Sequence, residues 1–338
     1  MTSSNLLGFY EDSLDYISEV QSLDGYICWE KNKKLDPWDH IEAAMGLSIG
    51  GKEGSAKKAY IWLKDNQEAD GSWFSEYFQG TPSSTRKESN FSAYIATGLW
   101  HYYLVTQDKE FLELMFPTLK KAIDFVISLQ TSFGDFYWGM EEGSLLDDSL
   151  ITGCSSIYKS LDCAIAIYEA LNKDSNYLVN SKRRLKNCLT VNPSRFDRSW
   201  KSKKRYSMDW YYPVMCGIIK GDDASERILN RWKQFIVEGK GCKCVEEEPW
   251  VTIAESSELV VALMVNGQEE KAKMVFDWLH QWRDEKDNLY WTGYVYTDKA
   301  YWPIEKPTWT AAAVLIAADT IFKFTPGSEL FIKEWAFE

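Results

Sequence analysis

The sequence predicts an all-α fold, a closed ring of six outer and six inner helices, and three observations carry that prediction. One three-part unit recurs six times along 338 residues: a helix end, an aromatic and charged loop, and a second, apolar helix. The two helices of each unit differ in kind. One is amphipathic and the other apolar on all sides, the difference between a helix wetted on one face and a helix enclosed by others. No stretch alternates apolar and polar residues long enough to compete, although residues 26–29 and 289–296 fit short hairpin strands. A ring of this kind would span 1–338 as a single domain with no linker.

The first unit, residues 19–47, ends a helix at Gln21 and an Asp24–Gly25 turn, crosses an aromatic loop and opens an apolar helix at Asp36–Pro37. The second places Ala59, Trp62, Leu63 and Asn66 at helical spacing and ends in Gln67 and an Asp70–Gly71 turn followed by Trp73. After GTPSSTRKESN it continues into FSAYIATGLWHYYLV. The third repeats the pattern at Gln130, Gly134 and Trp138, with an acidic loop and a long helix behind it. The fourth is degenerate, running from RRLKNCLTV through FDRSWKSKKRYSMDWYYP to VMCGII. The fifth runs from ASERILNRW to SSELVVALMV, and the sixth from AKMVFDWLHQW to TAAAVLIAADTIF. The tail from Thr325 is expected to pack over the last pair.

Composition narrows the function. A hydrophobic share of 45% suffices for a core, but 16 Trp, 19 Tyr and 16 Phe exceed what a core needs and suggest a cavity lined with flat faces. The net charge of −12 argues against a nucleic-acid partner and an anionic membrane surface. Seven Cys, an odd number and scattered apart from Cys242-Lys-Cys244, fit reduced thiols in a cytosol. The first residues show neither a basic nor an apolar leader region, and no apolar run reaches the roughly 18 residues a spanning helix needs. A cytoplasmic protein without a membrane partner is expected.

In such a ring the six loops that enter the inner helices crowd one mouth, and each brings a carboxylate. These are Asp39, Glu88, the Asp147–Asp148 pair, Asp209, Glu255 and Glu305. Aromatic residues accompany them: Trp38, Tyr94, Trp210, Tyr211, Trp250, Trp302 and Trp309. Carboxylates ringed by aromatic faces suit carbohydrate chemistry, since rings stack on sugar faces and paired acids do acid–base work on the glycosidic bond. Capping competes with that reading. Helix starts favour acids, Thr252-Ile-Ala-Glu255 matches a capping box, and Asp36-Pro37-Trp38-Asp39 reads as cap, N1 proline and N3 acid. With Pro213 at N1 of its helix, Asp209 lies upstream, where capping gives it no role, and Glu305 likewise precedes Pro307. The expected catalytic residues are therefore Asp209 and Glu305, then Asp39, with Glu255 and Asp148 as further candidates. Glu88 and His40 join the aromatic set as substrate contacts. His101 and His280 read as packing or surface residues, and Trp29, Trp73 and Trp138 as staples for outer helices. Cys242 and Cys244 stand closer than usual metal spacing, with no His near in sequence, so no metal or cofactor is expected.

Six helix pairs with Gln, Asp-Gly and Trp signatures resemble an (α/α)6 toroid over nearly the whole chain. Two superfamilies share that look. The stretch Gln67 to Trp73 is similar to the QW-type repeat of squalene–hopene cyclases and protein prenyltransferases. The run AYIATGLWHYYLVTQDKEFLELMFPTLKKAIDFVISLQ resembles the helix pairs of (α/α)6 glycoside hydrolases. The first resemblance implies a proton-initiated or diphosphate-using isoprenoid enzyme, but the Asp-x-Asp-Asp acid motif is missing, since Asp147–Asp148 and Asp222–Asp223 are only pairs. An alkenol hydratase using acids with Cys154 or Cys216 stays open beside it, as does a sugar-binding toroid without catalysis. The acidic, aromatic mouth favours a glycosidase-like hydrolase acting on a small saccharide or oligosaccharide.

Overall fold

A computed structural model describes residues 6–198 and 202–336. The stretch 199–201 of the fourth unit and both chain ends lie outside these described residues.

The chain is mostly helical. Six helices form the outer partners: α1 (Glu11–Val20), α3 (Glu53–Asp65), α5 (Lys109–Ser128), α7 (Asn176–Val191), α9 (Gly221–Phe235) and α11 (Glu269–Leu279). Six alternate with them as inner partners: α2 (Pro37–Ile49), α4 (Ser89–Thr106), α6 (Ile151–Ala170), α8 (Ser207–Met215), α10 (Ile253–Val265) and α12 (Thr308–Phe322). Each inner helix packs on the next, and α12 packs back on α2, so the inner set closes a ring. Burial follows the sequence pattern: every residue of α2 is buried, whereas α9 buries only Ala224, Ile228 and Phe235. Residues at the seam join last unit to first. Thr308 Oγ1 donates to Cys28 O at 2.7 Å, the Lys306 amide donates to Glu30 Oε1 at 2.7 Å, and Arg283 Nη2 donates to Phe9 O at 2.8 Å.

The outer helices are tied in series by one repeated device. Gln67 Nε2 donates to Gly71 O and, across to the following outer helix, to Thr118 O, both at 2.9 Å. Gln21 binds Gly25 O and Ser55 O in the same way, and Gln130 binds Gly134 O and Ser181 O. The turn must be glycine. Gly71 has φ +94°, and a Cβ there would lie 2.2 Å from Lys121 O.

An all-α description needs correction, because the entry loops pair into three small antiparallel sheets. The first joins Lys34–Leu35, Tyr77–Phe78 and Thr81–Pro82, and the second Arg86–Glu88, Gly139–Glu141 and Ser144–Leu146. The third has five strands: Ile236–Val237, Gly241–Lys243, Trp250–Thr252, Gly293–Val295 and Ala300–Tyr301. Residues 293–295 realise part of the expected hairpin, whereas 26–29 form no strand. Short strands from neighbouring units satisfy one another's backbone groups, a pairing that period-two patterning cannot reveal at such lengths.

Two further expectations change. Helix α8 begins at Ser207, so Pro213 lies inside it and Asp209 is its third residue. A proline frees the carbonyl four residues back; here that is Asp209 O, which accepts from Arg227 Nη2 at 2.8 Å, while Trp210 O accepts from Arg227 Nε at 2.7 Å. The C-terminal tail does not stay on the last pair. Its backbone reaches α6, where the buried Asp162 carboxylate accepts from the Trp335 and Ala336 amides at 3.1 and 3.0 Å and from Lys159 and Lys182. Glu334 joins this cluster through Lys182 and Lys220.

Candidate active site

The third residues of the six inner helices are Asp39, Phe91, Gly153, Asp209, Glu255 and Thr310. Asp36 caps α2 by accepting from the Asp39 amide at 2.9 Å, with Pro37 at N1, so this start is built as its sequence suggests. The capping box at Thr252 is not formed. Its side chain makes no cap bond, and Thr252 Oγ1 has no partner among the described residues. Glu255 is thereby released from a capping role, and its carboxylate lies beside the Cys244 thiol.

A cleft of about 280 Å³ opens beside α2. Asp36, Asp39, Glu88 and Asn90 line it together with Trp38, Phe91, Trp138 and Trp309, closed by Leu150, Thr152, Gly153 and Met208. Asn90 Oδ1 is buried without a partner among the described residues. Burial pushes the Asp39 carboxyl well above the usual range, and the neighbouring Asp36 charge and side-chain hydrogen bond push it further. Glu88 is raised to about 7, chiefly by burial, against the Trp138 indole and the Arg86 charge, which favour its ionised form. An acid that keeps its proton near neutral pH is what leaving-group protonation requires.

Below the mouth a second carboxylate tier lies near the ring axis. Glu42, one turn beyond Asp39, accepts from Trp38 Nε1 at 2.9 Å, Tyr94 OH at 2.8 Å and Trp309 Nε1 at 2.8 Å. Glu258, one turn beyond Glu255, accepts from Tyr211 OH and Tyr212 OH, both at 2.5 Å. The two line one narrow interior void, and burial raises the proton affinity of each: Glu42 to about 7, and Glu258 well upward, with the Glu42 charge adding to the effect. These glutamates fix the aromatic wall. The Trp38 ring stacks on Tyr94 with centroids 4.2 Å apart. Sequence reading missed Glu42 and Glu258; a carboxylate inside an otherwise apolar helix was the signal available.

The remaining expected residues distribute as follows. Asp209 is buried: burial raises it to about 6, the charged groups around it are Arg227, Asp197, Arg231 and Lys204, and its Oδ2 meets no donor among the described residues. Glu305 Oε2 accepts from Trp29 Nε1 at 2.9 Å, and the Trp29 ring lies 5.8 Å from that of Trp309. Asp148 Oδ1 accepts from the Ser149 and Arg198 amides at 2.7 and 2.9 Å, a loop-fastening geometry. His40, fully buried, is fixed by the Ile27 amide on Nδ1 and by Ala59 O beside Nε2, each at 3.0 Å, which sets it behind the cleft wall. Burial lowers its pKa to about 4. Trp210 is stacked on Phe235 and donates to Arg227 O, again in the frame. Trp250 opens a strand of the five-stranded sheet and Trp302 directly follows its last strand, and neither lines the cleft. Of the three staple tryptophans, Trp73 donates to Leu63 O at 2.8 Å as a staple would. Trp138 instead lines the cleft and donates to Glu88 Oε2 at 3.0 Å. The same indole-to-carboxylate bond thus occurs at Trp29–Glu305 and Trp138–Glu88.

All seven cysteines are free, and no group of three or more His, Cys, Asp or Glu among the described residues is arranged to hold a metal ion. No helix among them is long and apolar enough to cross a membrane.

Comparison with known proteins identifies relatives. The chain is 41% identical over 315 residues, 93% of its length and 86% of the relative's, to the MMP endo-(1,4)-3-O-methyl-α-D-mannosidase of Mycolicibacterium hassiacum. Among solved structures, a wild-type glycosidase matches with TM-score 0.73 at 13% identity, over 96% of this chain and 98% of that one. The GH63 mannosylglycerate hydrolase of Thermus thermophilus matches with TM-score 0.73 at 12% identity, over 91% and 99%. A sugar epimerase from a ruminal bacterium matches with TM-score 0.71 at 12% identity, over 94% and 98%. At these identities the structures speak for the fold. No family model matches the chain. The relatives carry the glycoside hydrolase side of the resemblance, and the cyclase and prenyltransferase side gains no support from them.

Proposed function

The chain belongs to the family of the Mycolicibacterium hassiacum mannosidase and is a glycosidase-type hydrolase, and from that premise we propose that it cleaves an α-mannosidic bond within a mannose-containing saccharide. In this reading the chain is one (α/α)6 toroid domain, and catalysis is shared between Asp39 and Glu255. Asp39 keeps its proton and donates it to the leaving glycosidic oxygen. Glu255, released from capping, takes a proton from the attacking water on the other side of the sugar. Trp38, Trp138 and Trp309 stack on the sugar, and Glu88 and Asn90 hydrogen-bond its hydroxyls.

The observation behind this choice is the doubled carboxylate on α2 and α10. Glu42 and Glu258, near enough to influence each other's protonation, sit one turn beneath Asp39 and Glu255. The upper pair therefore stands on two helices with only α12 between them. In this reading Asp209 and Glu305 support the frame, the first among Arg227, Asp197, Arg231 and Lys204 and the second holding Trp29 beside Trp309.

The test is hydrolysis of α-(1,4)-linked 3-O-methylmannose oligosaccharides, with unmethylated analogues alongside and products followed by mass spectrometry. Asp39→Asn and Glu255→Gln should each lower kcat by about 10²- to 10⁴-fold, and Asp39→Asn should recover on substrates whose leaving group needs no proton. Unchanged turnover in both variants, or loss in Asp209→Asn alone, overturns the assignment.

A further inference from the structure

We propose that the paired tryptophans Trp250 and Trp302, at the five-stranded sheet, form a second carbohydrate-binding platform, which holds the part of a long sugar chain that extends beyond the cleft. The proposal rests on the glycoside hydrolase reading above and adds chain-length selectivity to it.

Trp302 is 57% exposed and Ile304 73% exposed, a large apolar surface to leave facing water. It is also a fixed one. Trp250 Nε1 donates to Trp302 O at 2.7 Å, and the two rings meet edge to face with centroids 5.0 Å apart. The Trp250 indole lies so close over the neighbouring strand that a Cβ on Gly293 would come 2.3 Å from its Nε1. Glycine at 293 thus seats the ring, and the Trp302 amide bonds Gly293 O at 3.0 Å, holding both tryptophans on one piece of sheet. Rigid aromatic surface binds with little loss of side-chain freedom, which is what a weak, repetitive ligand such as a glycan needs.

A short series of contacts links the platform to the cleft wall. Trp302 stands three residues before Glu305, a backbone span of at most about 10 Å. Glu305 is anchored through its carbonyl to Thr292 and through its carboxylate to Trp29, whose ring meets Trp309 on the cleft wall. The intervening charges are already paired: Lys306 Nζ donates to Asp284 and Asp287 at 2.5 and 2.6 Å. An aromatic surface near a sugar cleft, with its Lys306 already paired, matches a neutral glycan with apolar faces, and methyl ethers on its hydroxyls would enlarge the area buried.

Calorimetry on the full chain tests this. Asp39→Asn serves as the background that slows turnover, and the probes are an α-(1,4)-linked 3-O-methylmannose disaccharide and an octasaccharide. The octasaccharide should bind about tenfold more tightly than the disaccharide. Adding Trp302→Ala should remove most of that difference, Ile304→Ser part of it, and Trp302→Phe should restore it. A length preference untouched by Trp302→Ala overturns the platform, as does equal weakening of both probes or no binding of either. The glycoside hydrolase reading fails separately, through absence of turnover by the unmodified chain. A chain that binds the octasaccharide through Trp302 and hydrolyses nothing would keep the platform and sink the catalytic assignment.

Discussion

Replacing Asp36 with Asn isolates what controls the proton on Asp39. Asn ranks with Asp as a helix cap, and its carbonyl oxygen can keep the bond from the Asp39 amide now measured at 2.9 Å. What disappears is the negative charge that, after burial, does most to raise the proton affinity of Asp39. The sign of the effect is fixed: a neighbouring anion opposes ionisation and a neutral amide does not, so the Asp39 pKa falls. With Asp39 as the proton donor, the alkaline limb of the kcat/KM profile should move to lower pH. The denaturation midpoint should change little, because the cap survives. A limb that stays in place or moves upward, in a variant of ordinary stability, refutes the control of Asp39 by Asp36.

Two further outcomes concern the frame. Gly71→Ala must place a Cβ 2.2 Å from Lys121 O at a left-handed φ, so it should destabilise the chain by about 2–4 kcal/mol in urea unfolding; a loss below about 0.5 kcal/mol would show that the Gln67 staple relaxes freely. Burial alone would raise Glu334, but the hydrogen bond from Lys220 and the charge of Lys182 outweigh it and hold the carboxyl down to about 2. A depressed carboxyl contributes stability above its ordinary range and loses it as pH falls toward 2. The stability gap between the wild-type chain and Glu334→Gln should accordingly be open at pH 6 and closed near pH 2, and a gap that persists at pH 2 would place its origin in packing instead.

The ring was legible because its cause is periodic. Gln21, Gln67 and Gln130 recur with their glycine turns, and each does the same job in the structure. The site was legible only in outline. Sequence spacing put acids at the mouth but ranked Asp209 by a helix start at Pro213 that does not exist, because Arg227, eighteen residues past Asp209, takes the carbonyls the proline leaves free. The same limit hid Glu42 and Glu258. Their tolerance inside apolar helices depends on indole and phenol donors from other units, Trp309 lying 267 residues from Glu42. Trp29 and Trp138 misled for a similar reason: whether an indole staples a helix or holds a carboxylate depends on what the next loop brings to it.

The seam between last unit and first has a consequence for how the molecule is made. Bonds such as Thr308 to Cys28, Arg283 to Phe9 and Trp29 to Glu305 join residues 274 to 280 positions apart. On a ribosome the amino-terminal pair must wait for almost the entire polypeptide before its neighbour on that side exists. Until then one flank of α2, largely apolar and destined for burial against α12, has nothing to cover it. Assembly of such a chain is limited by a late, long-range encounter instead of by local winding. Its most aggregation-prone species is therefore an open arc of nearly complete units, and chaperone dependence should peak in the final moments of synthesis.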